Sequence, residues 1–172
     1  MGVIADTHIY PHGARELPRP ALNLFRRAKV GLLVHLGDAN TVQVLEELAE
    51  IAPLLAVAGN TDDDYLQDVL PKRLQITVGT HAIGAIHGDG GRSAKDQVKR
   101  AYAGKVDLAL YGHSHVPFIE LVNGTTIFNP GSATDRRWHP HFGIGIIQIT
   151  EERIDPELIL FADPAHLASI TF

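Results

Sequence analysis

The sequence contains no cysteine and only one methionine and one tryptophan among its 172 residues. The absence of cysteine excludes disulfide bonds, thiolate metal sites and cysteine nucleophiles. No apolar run approaches the roughly 20 residues that a membrane-spanning helix needs. The start of the chain also lacks the basic and long apolar regions of a signal peptide. We therefore predict a cytoplasmic protein with no membrane partner.

Positive charge is scarce as well. The sequence has 15 lysines and arginines against 20 aspartates and glutamates, which gives a formal net charge of -5. This balance provides no electrostatic footprint for nucleic acid, so a nucleic-acid partner is not expected. The length fits one domain, residues 1–172, which is long enough to bury a core without disulfides. The ten histidines are the notable excess. Histidine is the commonest metal ligand, so their number suggests a metal site without locating it.

The order of predicted elements changes along the chain. The first half alternates short apolar runs with helical patterns, whereas the second half is mostly strands, including a hairpin at Asn123-Gly124. Alternation favours parallel pairing and consecutive strands favour antiparallel pairing. We predict an α/β fold in which two mixed sheets pack together with helices on the outside.

Five short polar groups each follow an apolar run. They are Asp6-Thr7-His8, Gly37-Asp38, Gly59-Asn60-Thr61-Asp62, His87-Gly88 and Gly112-His113-Ser114-His115. Taken singly, each group has an ordinary explanation as a turn, a helix cap or a core histidine. However, open α/β sheets bind ligands outside the carboxyl ends of their strands, where residues distant in sequence converge.

Together the groups offer seven donors: Asp6, His8, Asp38, Asn60, His87, His113 and His115. Carboxylate, carboxamide and imidazole without thiolate suit manganese, iron, zinc or a mixture. Seven side chains exceed one tetrahedral shell, so two ions that share Asp38, at a separation of roughly 3.5–4 Å, are the better fit. Such a pair serves phosphoryl transfer, which depends on positioning and charge neutralisation.

The order of these groups resembles the calcineurin-like metallophosphoesterase superfamily, whose blocks read D-x-H, G-D, G-N-H-[DE], His-Gly and G-H-x-H. The resemblance runs from Asp6 to His115, and Asn129-Pro130-Gly131-Ser132 resembles the closing motif of the small prokaryotic phosphodiesterase branch. It implies a four-layer α-β-β-α sandwich of two mixed sheets flanked by helices.

The resemblance also implies two divalent metal ions per chain, with a hydroxide that bridges them as the nucleophile. By motif position, Asp6, His8 and His115 would hold one ion, Asn60, His87 and His113 the other, and Asp38 would bridge both. Manganese is the first choice of metal, and zinc, iron, nickel and magnesium are alternatives.

One departure from the family pattern concerns Thr61, which stands where the G-N-H-[DE] block has histidine. That histidine is usually assigned to stabilising the transition state or protonating the leaving group. Threonine is not a comparable proton donor, so we predict a preference for leaving groups that need little protonation. Three loop histidines, His12, His139 and His141, are candidate substitutes or plain surface residues.

Further roles are predicted around the ligands. Asn60 and Asp62 are the predicted catalytic residues, Asp62 by orienting a ligand or its loop, with a helix cap as the alternative. After the closing motif, Arg136 and His139 are predicted to contact substrate, because an arginine can grip a phosphate oxygen. Trp138 could stack on an aromatic group. The alternative is an exposed loop or a subunit contact.

The resulting prediction is a metal-dependent phosphodiesterase that acts on a small phosphoester substrate. Two alternatives stay open: an enzyme for phosphomonoesters or pyrophosphate-linked nucleotides, and a catalytically weak metal-binding scaffold like the retromer-component branch of the superfamily. A homo-oligomer is also open, since Trp138, Phe142 and Phe172 could belong to an interface or to the core.

Overall fold

The computed structural model of the protein describes residues 1–91 and 93–165. These residues form ten strands and four helices. The strands are β1 (Gly2–Ile4), β2 (Leu33–His35), β3 (Leu54–Ala56), β4 (Arg73–Val78), β5 (His81–Ile86), β6 (Leu108–Tyr111), β7 (Phe118–Val122), β8 (Thr125–Asn129), β9 (Phe142–Ile149) and β10 (Ile154–Phe161). The helices are α1 (Arg19–Arg27), α2 (Val42–Ala49), α3 (Asp64–Val69) and α4 (Ala94–Tyr102).

The strands form two mixed five-stranded sheets, ordered β10-β9-β1-β2-β3 and β4-β5-β6-β8-β7. In the first sheet β1, β2 and β3 are parallel, and β9 and β10 continue it as antiparallel strands. In the second sheet β5, β6 and β8 are parallel, while β4 and β7 are antiparallel hairpin partners at its edges. Helices connect the parallel pairs β1–β2, β2–β3 and β5–β6, as the predicted alternation required, whereas β6 and β8 are joined through β7.

Three layers of apolar side chains fix the order of sheets and helices. The middle layer lies between the sheets and includes Val3 and Leu36 from the first sheet and Leu108 and Phe128 from the second. One outer layer packs α1 and α2 on the first sheet, and the other packs α4 on the second. The predicted four-layer α-β-β-α sandwich is therefore confirmed.

Local signals predicted most element positions, with differences at the ends. Ser93 caps α4 by accepting a hydrogen bond from the Asp96 amide, as its sequence position indicated. Thr41 occupies the corresponding position before α2 but makes no side-chain cap. The predicted helix at 62–70 starts at Asp64, and Asp63 rather than Asp62 is its cap.

The aromatic residues considered for an interface behave differently from one another. Trp138 is 79% exposed, whereas Phe142 stacks on Phe161 with ring centroids 5.7 Å apart. Phe172 lies outside the described residues. Within the described part of the chain, no helix is long and apolar enough to cross a membrane.

Candidate metal centre

The five polar groups come together at one end of the sandwich. Each follows the carboxyl end of a parallel strand, namely β1, β2, β3, β5 or β6. Parallel strands present these ends at the same edge of their sheet, and the two sheets align their edges here. Residues separated by more than 100 positions, such as His8 and His115, are consequently in contact.

Asp6, His8 and His115 form a first triad. Each offers one ligand atom, and these atoms lie within 4.8 Å of one another. The Nε2 atoms of His8 and His115 are 3.1 Å apart, and the two rings stack. Oδ2 of Asp6 is buried and has no hydrogen-bond partner. A buried carboxylate oxygen without a partner is costly, and a cation at this position would satisfy it.

Asp38, His87 and His113 form a second triad within the same distance limit. Asn60 joins them, because its Oδ1 lies 3.1 Å from His87 Nε2 and 3.0 Å from His113 Nδ1. Once deprotonated, the two imidazole nitrogens could bind one ion together with the amide oxygen. This donor set, like the first, fits a divalent cation.

Asp38 lies between the two triads. Its Oδ2 is 3.5 Å from His8 Nε2 on one side and 3.3 Å from His87 Nε2 on the other. Its Oδ1 accepts a hydrogen bond of 2.9 Å from the Thr61 amide, which fixes the plane of the carboxylate. The structure thus brings all seven predicted donors together at one end of the sandwich.

Backbone strain marks the same residues. Ten non-glycine residues in the described part of the chain have positive φ, and five of them are predicted ligands: Asp6, His8, Asp38, His113 and His115. The left-handed conformation costs about 1–2 kcal/mol for a residue with a Cβ. Such strain persists where the surroundings over-determine it, typically at functional sites. Here it turns successive side chains toward the centre at strand ends.

Close backbone approach requires glycine at position 59. A Cβ there would lie 2.2 Å from both the amide nitrogen and Oδ1 of Asp38. The loop that carries Asn60 therefore packs directly on the loop that carries Asp38. This contact is what places the carboxamide beside the carboxylate.

Asp62 braces these loops from behind. Its Oδ1 accepts a hydrogen bond from the Asn40 amide and its Oδ2 one from the Gly59 amide, each 2.7 Å long. Both oxygens accept hydrogen bonds from loop backbone, and the cap of α3 is Asp63, so the helix-cap alternative does not hold for Asp62. The assignment of Asn60 and Asp62 as catalytic stays a prediction.

Several supporting residues were not apparent from the sequence. Ser132 Oγ donates a 2.7 Å hydrogen bond to the Asp6 carbonyl. The carbonyl of Asp135 accepts from His115 Nδ1. His35, fully buried, accepts from the Gly37 amide through Nδ1 and contacts Thr7 Oγ1 through Nε2. Ser132 lies in the closing motif, but nothing local to His35 or Asp135 signals their roles.

The buried charges shift the pKa values of the ligands. Burial raises the pKa of Asp6 to about 7, because its carboxylate is removed from water. Burial acts to lower the pKa of His87, but Asp38 and Asp6 outweigh it and raise that pKa to about 9. The pKa of Asp38 is held well below its usual range against burial, chiefly by its contact with His87.

These shifts predict that the metal-free protein loses stability between pH 7 and 9. The folded-state pKa of His87 is raised from 6.5 to about 9, so its stabilising contribution is complete below pH 6.5 and is lost as pH rises through 9. A shift of this size corresponds to at most about 3.4 kcal/mol. Urea unfolding of chelator-treated protein at pH 6.5, 7.5 and 9 measures the loss.

The matched control for this pH dependence is His87→Gln. Burial lowers the pKa of the Met1 amine, which makes stability rise with pH near 8 and opposes the effect of His87. The difference between the two proteins therefore isolates His87. Parallel curves for wild type and His87→Gln would contradict the prediction.

The two residues predicted to contact substrate, Arg136 and His139, make their described contacts within their own loop. Arg136 donates a 2.7 Å hydrogen bond to the His139 carbonyl and lies over the Phe142 ring, so it holds its own loop. His139 contacts the backbone of His141. The neighbouring Arg137 is exposed, and its charge acts on the pKa values of ligands in both triads, including His8 and His113.

Comparison with known proteins supports the interpretation of this site. A probable metallophosphoesterase of Methanothermobacter thermautotrophicus is 34% identical over 95% of this chain and 94% of its own length. Another, from Methanocaldococcus jannaschii, is 38% identical over 78% of this chain and 68% of its own length. Both span most of the region that contains the seven donors.

Solved structures share the fold at lower identity. Zinc-bound Vps29 from Entamoeba histolytica matches with a TM-score of 0.72 at 23% identity, covering 93% of this chain and 99% of Vps29. An archaeal phosphodiesterase matches with a TM-score of 0.71 at 22% identity, covering 91% and 98%. The family model of the calcineurin-like phosphoesterase superfamily domain matches residues 1–152. With its ligand groups in family order at one edge of an α-β-β-α sandwich, this chain belongs to that superfamily.

Proposed function

We propose that the protein is a phosphodiesterase that uses two divalent metal ions. Asp6, His8 and His115 hold one ion, Asn60, His87 and His113 hold the other, and Asp38 contacts both. The observation that supports this most is the position of Asp38 Oδ2, which lies 3.5 Å from His8 Nε2 and 3.3 Å from His87 Nε2.

The chemistry divides between the ions and the chain. When bound, two ions supply positive charge to the phosphate oxygens and make a water acidic enough to attack. Asp38 balances the charge of both ions, and Asp6 Oδ2 gains the partner it lacks. Asn60 would contribute Oδ1 to the second ion, and because the residue is exposed, its Nδ2 would be available to donate to a substrate oxygen.

Two features favour diesters over other phosphate substrates. An archaeal phosphodiesterase has the same fold. In addition, no described contact brings His12, His139 or His141 to the ligands, so Thr61 leaves the centre without an evident proton donor. Phosphomonoesters and pyrophosphate-linked nucleotides are the second candidate, because the same metal core serves them.

A scaffold function is the remaining candidate, since Vps29 shares the fold. The complete donor set argues for catalysis in this chain. A binding surface alone does not require seven convergent ligands, strained backbone at five of them, and an unpaired buried carboxylate oxygen.

Metal-dependent hydrolysis tests these candidates. Chelator-treated protein is assayed with a chromogenic aryl phosphodiester and with the matching monoester, before and after addition of Mn²⁺. We expect activity to depend on metal and the diester to be turned over at least about 10-fold faster than the monoester, a difference of about 1.4 kcal/mol in the barrier.

Each alternative gives a distinct result in the same assay. A faster monoester reaction would favour the second candidate. Two bound ions by calorimetry without hydrolysis of either ester, also with Zn²⁺, Ni²⁺ or Mg²⁺, would favour the scaffold. Failure to bind any divalent ion would refute the metal centre itself.

Arg137, rather than the Arg136 expected from the sequence, is the proposed contact for a phosphate oxygen. Its charge lies within reach of both triads, where it opposes cation binding and favours an anionic substrate. Arg137→Ala should lower kcat/KM about 10-fold or more, mainly through KM, because a hydrogen bond to a charged group contributes about 1.5–3 kcal/mol. Steady-state kinetics with the aryl diester measures this.

Arg136→Ala is the matched control for this prediction. It removes the same side chain one residue earlier, where the guanidinium bonds the His139 carbonyl. A larger effect of Arg136→Ala on KM would restore the sequence-based assignment. Calorimetric Mn²⁺ binding should be unchanged in both variants or slightly tighter in Arg137→Ala.

A further inference from the structure

Thr61, which replaces the histidine of the family pattern, contacts a ligand of the first triad. Its Oγ1 lies 3.3 Å from Nδ1 of His8. Its amide donates to Oδ1 of Asp38, so the residue is held beside both triads. The hydroxyl is therefore placed against the ring of a predicted ligand, on the side away from the ligand atoms.

The geometry of His8 determines what this contact does. Its Nε2 is the atom that faces His115 Nε2, at 3.1 Å, and Asp38 Oδ2, at 3.5 Å. A histidine that binds a metal through Nε2 carries its remaining proton on Nδ1, and a partner for that N–H fixes the tautomer and the ring. His8 is 5% exposed, so water is a poor substitute for such a partner.

The Thr61 oxygen is held in place by Asn40. Nδ2 of Asn40 donates to Thr61 Oγ1 at 3.1 Å and also to the Thr61 carbonyl. The Asn40 amide is in turn bound to Asp62 Oδ1 at 2.7 Å. A hydroxyl oxygen has two lone pairs, and the N–H groups of Asn40 and His8 account for both.

Two of the other three predicted ligand histidines, His87 and His115, use backbone atoms for the same purpose. Nδ1 of His87 lies 2.8 Å from the Leu36 carbonyl, and Nδ1 of His115 contacts the Asp135 carbonyl. His8 alone among these three relies on a side chain. The contact that fixes the His8 ring can therefore be removed by one side-chain substitution that leaves the main chain unchanged.

We propose that Thr61 is a positioning residue whose hydroxyl accepts the Nδ1–H of His8 and holds Nε2 toward the ion of the first triad. This inference rests on the proposed metal centre and is independent of the substrate. In this proposal Thr61, which stands where the family pattern has histidine, helps to retain the metal ion and does not donate a proton.

The test is Zn²⁺ binding by calorimetry to metal-free wild type, Thr61→Val and Thr61→Ser, without substrate. Thr61→Val keeps the shape but removes the acceptor, and should weaken one of the two Zn²⁺ sites about 10- to 100-fold. Thr61→Ser keeps the hydroxyl and should bind within about threefold of wild type. Thr80→Val makes the same change in the distant β4–β5 turn and should bind like wild type.

Histidine ¹H–¹⁵N spectra of the Zn²⁺-loaded proteins provide a second readout. In wild type and Thr61→Ser, we expect the His8 signals of a ring that is protonated at Nδ1. In Thr61→Val, the chemical shift of the Nδ1–H proton should change. If Thr61→Val is unstable by circular dichroism, Thr61→Ala replaces it in both measurements.

The outcomes separate this inference from the proposed function. Wild type that binds no Zn²⁺ would refute both. Wild type that binds two ions, with Thr61→Val or Thr61→Ala binding them equally tightly, would overturn the role of Thr61 and leave the metal centre intact. Equal weakening in Thr61→Ser and Thr61→Val would also overturn it, because the hydroxyl would then not be the cause.

Discussion

Asp38→Asn is expected to lower turnover of an aryl phosphodiester by at least about 10³-fold. The substitution keeps the shape of the side chain and an oxygen that can accept from the Thr61 amide. It removes the negative charge that lies between the two triads, 3.5 Å from His8 Nε2 and 3.3 Å from His87 Nε2. Metal ions supply several kcal/mol of transition-state stabilisation, and a loss of about 4 kcal/mol corresponds to a factor of about 10³.

The measurement is kcat/KM at saturating Mn²⁺, together with the number of bound ions. Asp155→Asn, an exposed substitution in β10, makes the same chemical change and should have no effect. If Asp38 bridges the ions, Asp38→Asn should also weaken the binding of both, since each ion loses the same charged ligand. Two tightly bound ions with activity within tenfold of wild type would contradict a bridging carboxylate.

The second large effect is a steep dependence on the leaving group. The position that carries histidine in the family pattern is Thr61, and its lone pairs are occupied by Asn40 and His8. A missing general acid costs about 10²–10⁴ in rate when the leaving group is a poor one. Diesters with acidic aryl leaving groups should therefore be cleaved at least about 10²-fold faster than those with alkyl leaving groups.

A series of methyl aryl phosphodiesters with increasing phenol pKa provides the measurement. The logarithm of kcat/KM should fall with leaving-group pKa about as steeply as in the uncatalysed reaction. A shallow slope would show that some group donates a proton, and variants of His12, His139 and His141 would identify it. Of these, His139 contacts the backbone of His141 through its ring Nδ1.

The fold class and the seven candidate donors were predictable from the sequence. The order of elements allows few sheet arrangements. Helices separate the early strands, which favours parallel pairing, and the later strands follow one another directly, which favours antiparallel pairing. Two mixed sheets satisfy both preferences. The donors were visible because metal ligands are chemically restricted and lie at the ends of parallel strands. Asp6, Asp38 and His113 all lie where such strand ends placed them.

The hydrogen bonds that support the candidate site depend on how the loops are arranged in the folded protein. The sequence favoured Arg136 as a phosphate contact, but its guanidinium donates to the His139 carbonyl within its own loop. His35, Asn40 and Asp135 act through contacts with loops that are distant in the chain. Such hydrogen bonds depend on distances of a few tenths of an ångström between separate loops. Residue type and spacing do not encode those distances, which are set when the two sheets pack.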